Sequence, residues 1–203
     1  MQRWSFAVLT ISMLSAQKAP KWDTLVVIET PKGLIRLQLY RKTPLHRANF
    51  LKLAREGFLD GTTFHRVVPG FVIQGGDPHS KDNDPTNDGL GGPGYTIAAE
   101  FHSDLRHEYG AVGAARQGDN INPARASNGS QFYIVVNKSG TPFLDGAYTV
   151  FGKVLEGTEV AEAIAAVPRD RMDRPNEPIA MRVRLERHKV RALQKRYKDA
   201  YRL

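Results

Sequence analysis

About eight short runs of alternating or β-branched apolar residues cross this 203-residue chain, with only two stretches of helical spacing among them before the tail. Strands this short must pair with many neighbours, and a sheet closed on itself leaves no exposed edge. The pattern therefore predicts a mainly β fold: a closed eight-stranded antiparallel β-barrel capped by two α-helices, followed by an extra basic C-terminal helix. Segments 25–29 and 34–40 flank Pro31-Lys32-Gly33 as a hairpin, with Ile35, Leu37 and Leu39 on one face. Thr43 and Pro44 suit the cap and first position of a helix that ends near Gly57, and Val160, Ile164 and Val167 mark a second helix over 159–167. Two strands straddle Pro69-Gly70. Others are expected at 95–98, 111–115, 131–136 and 148–154, and Ile179, Met181, Val183 and Leu185 alternate as a last one.

The formal charge of +8 is unevenly placed: residues 169–203 hold 12 Lys/Arg against 5 Asp/Glu, leaving the preceding body nearly neutral. The basic character thus belongs to the tail. There Val190, Leu193, Tyr197 and Tyr201 give 187–203 the spacing of an amphipathic helix. Contact with an anionic surface fits that segment, whereas the aromatic-interleaved basic surface of a nucleic-acid reader is not evident. Cysteine is absent, which excludes disulfides, thiol nucleophiles and thiolate metal sites. At the other end Arg3 precedes an apolar run over 4–14 and the small residues Ser15-Ala16, the pattern of a cleaved signal peptide over 1–16. A secreted or periplasmic location follows as an expectation. One domain over 24–186 accounts for the rest.

Four stretches carry the chemistry: FHRVVPGFVIQGGD at 64–77, AAR at 114–116, GSQFYIVV at 129–136 and FLDGAYTVFGKV at 143–154. In this order and spacing they resemble the cyclophilin family of peptidyl-prolyl cis-trans isomerases, and the choice of residues resembles its bacterial secreted branch. The resemblance implies an enzyme that rotates X-Pro bonds and assists the folding of exported proteins, without a cofactor or metal. The chemistry needs neither, because rotation about a peptide bond is opposed only by amide resonance, a barrier of about 18–20 kcal/mol. A fixed cation with directed N–H donors beside an apolar pocket would favour the twisted amide over both ground states. The family pattern gives Arg66 as that cation, with Gln74 holding it and contacting the substrate backbone. It gives Phe71, Val72, Tyr133, Phe143, Leu144 and Tyr148 as the proline pocket, and Ala115, Arg116 and Gln117 as the neighbouring peptide groove. Phe64, Phe132 and Phe151 are assigned to the core.

Three positions depart from the well-known eukaryotic members, which have tryptophan, histidine and asparagine where this chain has Phe143, Tyr148 and Arg116. Without the tryptophan ring N–H, weak cyclosporin binding is expected. The segment 117–128 is longer than its short eukaryotic counterpart and is placed to reshape the groove wall. GLGGPG at 89–94 lacks the Lys-Ser/Thr of a phosphate loop, and Tyr95 stands where a calcium loop starting at Asp84 needs glutamate. Both are read as turns. The competing function is a proline-peptide binding module or holdase on the same scaffold; the partners expected are proline-containing polypeptides, with the protein a monomer.

Overall fold

The first two strands, β1 (Trp22–Thr30) and β2 (Gly33–Leu39), form the expected hairpin, with Val26 opposite Leu37 and Ile28 opposite Ile35. The computed structural model describes residues 20–202 except Asn83, so the leader proposed for 1–16 lies outside the described residues. Glycine is required at the turn. Gly33 has φ +134°, and a Cβ there would stand 2.9 Å from a methyl of Val160 on the second helix.

Helix α1 (Pro44–Arg55) starts where Thr43-Pro44 indicated, but Thr43 makes no side-chain cap bond. Its hydroxyl donates to Tyr40 O at 3.3 Å, and the free amides of the first turn, Leu45 N and His46 N, donate to the Glu100 carboxylate at 3.0 Å each. A carboxylate satisfies those donors and opposes the positive end of the helix dipole better than a neutral hydroxyl. Then come β3 (Arg66–Val68), β4 (Val72–Gly75), β5 (Thr96–Ile97), β6 (Ala111–Ala114), β7 (Ser127–Asn128), β8 (Phe132–Val135), β9 (Val150–Glu156), α2 (Thr158–Ala165), β10 (Arg182–Lys189) and α3 (Val190–Tyr197). Strand β7, too polar and short to show alternation, pairs with β5 in a separate two-stranded sheet.

The main sheet has eight antiparallel strands in the order β10-β1-β2-β9-β6-β8-β4-β3. Its two edge strands, β3 and β10, do not form a ladder, so the expected closure by strand pairing is not what holds the ends together. Instead the residues just before them meet at one bridge, Thr63 with Ala180, through Gly61 N to Met181 O (2.9 Å), Met181 N to Thr62 O (2.8 Å) and Phe64 N to Ile179 O (3.0 Å). Beyond this, Pro175 and Pro178 remove donors from the approaching segment. The outer edge of β3 is served by a loop instead, through Val67 N to Asp173 O at 2.7 Å.

Inside, Phe50, Phe64 and Phe132 pack edge to face, and Phe151 joins them; Phe64, Phe132 and Phe151 are all buried, as assigned. The tail differs from the helix expected over 187–203. Strand β10 continues to Lys189 because Trp22 of β1 offers it a pairing partner, and α3 covers only Val190–Tyr197. The tail's apolar residues turn inward: Val190 and Leu193 of α3, and Tyr201 beyond it, are buried with Leu25 in a satellite cluster. A 3-10 turn, Lys198–Ala200, then brings the Tyr201 hydroxyl to Asp23 Oδ2 at 2.6 Å, while Arg202 N donates to Gln38 Oε1 at 2.9 Å.

Candidate active site

Strand register places four residues in one row across the sheet: Arg66 on β3 faces Gln74 on β4, Gln74 faces Tyr133 on β8, and Tyr133 faces Gly113 on β6. Residues directly opposite in antiparallel strands point to the same face, so the row lines one surface. The turn between β3 and β4 is tight, closed by Phe71 N to Val68 O at 3.0 Å with Gly70 at φ +69°. It delivers Phe71 beside Arg66, whose guanidinium carbon lies 6.0 Å from the centre of the Phe71 ring.

These residues open into a cavity of about 330 Å³ lined by Arg66, Phe71, Val72, Gln74, Ala115, Arg116, Tyr133, Leu144 and Tyr148. Nine of the eleven residues assigned from the sequence therefore meet in one concave site. The other two stand outside its wall. Gln117 is exposed, and Phe143, 71% exposed, stacks on the back of Phe71 with ring centres 5.8 Å apart. The floor is the Tyr133 ring, which lies directly on Gly113: a Cβ at position 113 would fall 2.3 Å from Tyr133 Cζ. Tyr148 meets Tyr133 edge to face at 6.2 Å.

Arg66 is half-buried, and among the described residues no carboxylate approaches its guanidinium within the 4.0 Å of an ion pair. The expected bond from Gln74 to Arg66 is not formed. Gln74 Nε2 donates instead to Gln131 Oε1 at 3.0 Å, because the register that aligns Gln74 with Tyr133 also brings it beside Gln131. Gln131 in turn donates to Gly89 O (2.9 Å) and Gly91 O (2.8 Å), fixing the 84–94 loop next to the site. The amides of Gly89 and Gly91 donate to the buried Asp77 carboxylate, so this glycine-rich loop wraps an anion of the protein's own.

Arg116 is held rather than free. Its Nε donates to Ala147 O at 2.7 Å, Nη1 pairs with Asp119 at 2.6 Å, and the guanidinium lies 4.4 Å from the centre of the Tyr148 ring. It thereby braces the wall of the pocket and anchors the 117–128 segment, which Arg125 also ties through Asp119 (2.8 Å) and Gly146 O (3.2 Å).

Beneath the pocket, Tyr133 OH is 2.8 Å from His107 Nε2, and His107 Nδ1 is 2.7 Å from Asp145 Oδ1. Burial pulls the His107 pKa below its ordinary value despite the opposing Asp145 carboxylate, and burial pushes the Tyr133 phenol well above its own. Sequence reading did not single out Gly113, Gln131, His107 or Asp145. Gln131 and Asp145 lie inside the quoted motifs, but Gly113 and His107 carry no signal until the strands are paired.

The family described as "Cyclophilin type peptidyl-prolyl cis-trans isomerase/CLD" matches residues 25–184. Peptidyl-prolyl cis-trans isomerase ppi1 of Schizosaccharomyces pombe is 41% identical over 159 residues, covering 76% of this chain and 93% of its own. Peptidyl-prolyl cis-trans isomerase B of Bacillus subtilis is 48% identical over 130 residues, covering 63% of this chain and 80% of its own. The crystal structure of a cyclophilin type peptidyl-prolyl cis-trans isomerase of Cryptosporidium parvum superposes with a TM-score of 0.69 at 31% identity, covering 83% of this chain and 98% of that one. Motifs, site and whole-domain similarity agree: this chain belongs to the cyclophilin-type peptidyl-prolyl cis-trans isomerases.

Proposed function

We propose that this chain catalyses cis-trans rotation about X-Pro bonds of extended polypeptide segments, with Arg66 as the catalytic cation. The observation that carries this reading is an arginine with no carboxylate partner among the described residues, on a cavity whose apolar side is floored by Tyr133 and walled by Phe71, Leu144 and Tyr148. A proline ring fits against the aromatic and aliphatic side of this cavity, leaving the adjoining amide beside the guanidinium fork. As the amide twists, resonance is lost and the proline nitrogen becomes a better acceptor. Donors already aimed at that position stabilise the twisted form with no reorganisation of their own. Arginine suits this because its fork is rigid and permanently charged. Gln74, fixed by Gln131, presents its remaining polar capacity to the substrate backbone. A Cryptosporidium parvum relative has been crystallised in the presence of the dipeptide Ala-Pro, which supports a proline peptide as ligand.

Export of this enzyme, its action on exported proteins and its place in the bacterial secreted branch rest on the leader pattern at 1–16 and on Phe143 and Tyr148. The reading that the barrel functions as a closed one rests on the Thr63–Ala180 bridge. The deciding experiment measures cis-trans exchange of an X-Pro peptide by NMR with the full chain and with Arg66→Ala. Removal of a donor acting mainly on the transition state should lower kcat by about 10²–10³, and equal rates would sink the assignment. Cyclosporin added to the same assay should inhibit weakly, since Phe143 has no ring N–H; potent inhibition would contradict that expectation.

A further inference from the structure

Two walls of the pocket come from distant parts of the chain, and one buried side chain reaches both. His107 is fully buried on the loop before β6. Its ring spans from Tyr133, the pocket floor, to Asp145, which directly follows Leu144 of the pocket wall. The backbone repeats the connection: His107 N donates to Asp145 Oδ1 at 2.9 Å, and Thr141 N donates to His107 O at 2.8 Å.

The direction of the bonds follows from the partners. An ionised carboxylate only accepts, so Nδ1 carries the ring proton. Burial favours the neutral ring, so Nε2 is the unprotonated nitrogen and accepts from the Tyr133 hydroxyl. The resulting chain, Tyr133 O–H to His107 to Asp145, has a single sense. It fixes the Tyr133 ring in rotation and keeps the hydroxyl pointed away from the cavity, so that the proline ring meets an apolar aromatic face. Gly113 makes room for that ring position, and Tyr148 closes its edge.

We propose that His107 is a positioning residue for the isomerase site, holding the floor (Tyr133) and the wall (the turn carrying Leu144) in register for the proline ring. This rests on the X-Pro reading of the same cavity. It makes a kinetic distinction, because the pocket grips the proline ring equally in ground and transition states, whereas Arg66 acts on the twisted amide. Loss of equal grip raises KM and leaves kcat unchanged.

The test uses full-length Tyr133→Phe, His107→Phe and the double variant, with KM and kcat for an X-Pro peptide from exchange spectroscopy and melting curves as a check on folding. Tyr133→Phe should raise KM about threefold to tenfold, the worth of one hydrogen bond, with kcat within about twofold. His107→Phe should raise KM at least as much, and the double variant should match His107→Phe, since the hydroxyl then has nothing left to bond. A wild-type KM for Tyr133→Phe, a fall in kcat at constant KM, or additive effects in the double variant would overturn the proposal. If His107→Phe does not fold, Tyr133→Phe alone decides. An inactive wild-type chain would instead overturn the X-Pro reading itself, so the two failures are distinguishable.

Discussion

Replacing Tyr201 with phenylalanine removes one hydroxyl and leaves the ring that packs beside Leu25, Val190 and Leu193. That hydroxyl is the partner of a buried charge. Asp23 is only 3% exposed; its Oδ1 accepts from Thr24 N (2.9 Å), Arg41 Nη2 (3.0 Å) and Arg47 Nη2 (2.6 Å), while Oδ2 accepts from Tyr201 OH at 2.6 Å. The two arginines cancel the charge through one oxygen and leave the other dependent on the tail. A hydrogen bond to a charged group contributes about 1.5–3 kcal/mol, and the orphaned oxygen is too buried for water to replace the donor fully. For a domain of this size each kcal/mol shifts Tm by roughly 2–4 °C, so Tyr201→Phe should melt about 3–12 °C lower than wild type. Calorimetry at neutral pH reads the shift directly. Ending the chain at Arg187 should cost more, because it also exposes Leu25, now 1% exposed. X-Pro exchange measured well below either melting point should be unchanged, since Asp23 lies on β1, away from β3, β4 and β8. A Tm for Tyr201→Phe within about 1 °C of wild type would mean that the Tyr201–Asp23 bond does not stabilise the domain, and would refute this account.

Gly113→Ala would press a methyl against Tyr133 Cζ, OH and Cε2 at 2.3, 2.4 and 2.5 Å, so it should cost about 1–3 kcal/mol in urea unfolding. In a Tyr133→Val background the cost should nearly vanish, whereas Tyr133→Phe should give no relief because Cζ and Cε2 remain; equal cost in the Val and wild-type backgrounds would exclude the clash. Acid stability should also respond to His65, which is buried and whose pKa that burial lowers to about 4, with Asp77 opposing. Its folded pKa lies below the unfolded value, so its contribution is complete above about pH 6.5 and is lost as pH falls through 6.5 toward 4. Unfolding at pH 7.5 and pH 5 should show wild type losing on the order of 2 kcal/mol more than His65→Phe. Parallel losses would show that His65 is not the group responsible.

Much of this architecture is local in origin and therefore visible in the chain. The hairpin at Pro31-Lys32-Gly33, the start of α1 at Pro44 and the tight turn at Pro69-Gly70 each follow from the dihedral restrictions of a few adjacent residues. Alternation marked Ile35, Leu37 and Leu39 for burial, and all three are buried. The spacing of Arg66 and Gln74 across a tight turn made them cross-strand partners, and they are. What alternation could not show was β7, whose two residues are polar, or the cap on α1, where a glutamate more than fifty residues away does the work expected of Thr43.

The strand-rich fold, the family and nine of the eleven assigned side chains, which meet at one cavity, were legible in the chain, because short-range turn chemistry and ordered motifs are written in consecutive residues. Three features instead depended on contacts between distant parts of the chain. Gln74 bonds Gln131 rather than Arg66, because strand register chose its neighbour. The Tyr133 ring rests on Gly113 and bonds His107, which share no motif with Tyr133 and meet it only when β6 and β8 pair. And the basic tail, an amphipathic pattern without an evident partner, folds back to cover Leu25 and bond Asp23, because periodicity states that a face will be buried but not against what.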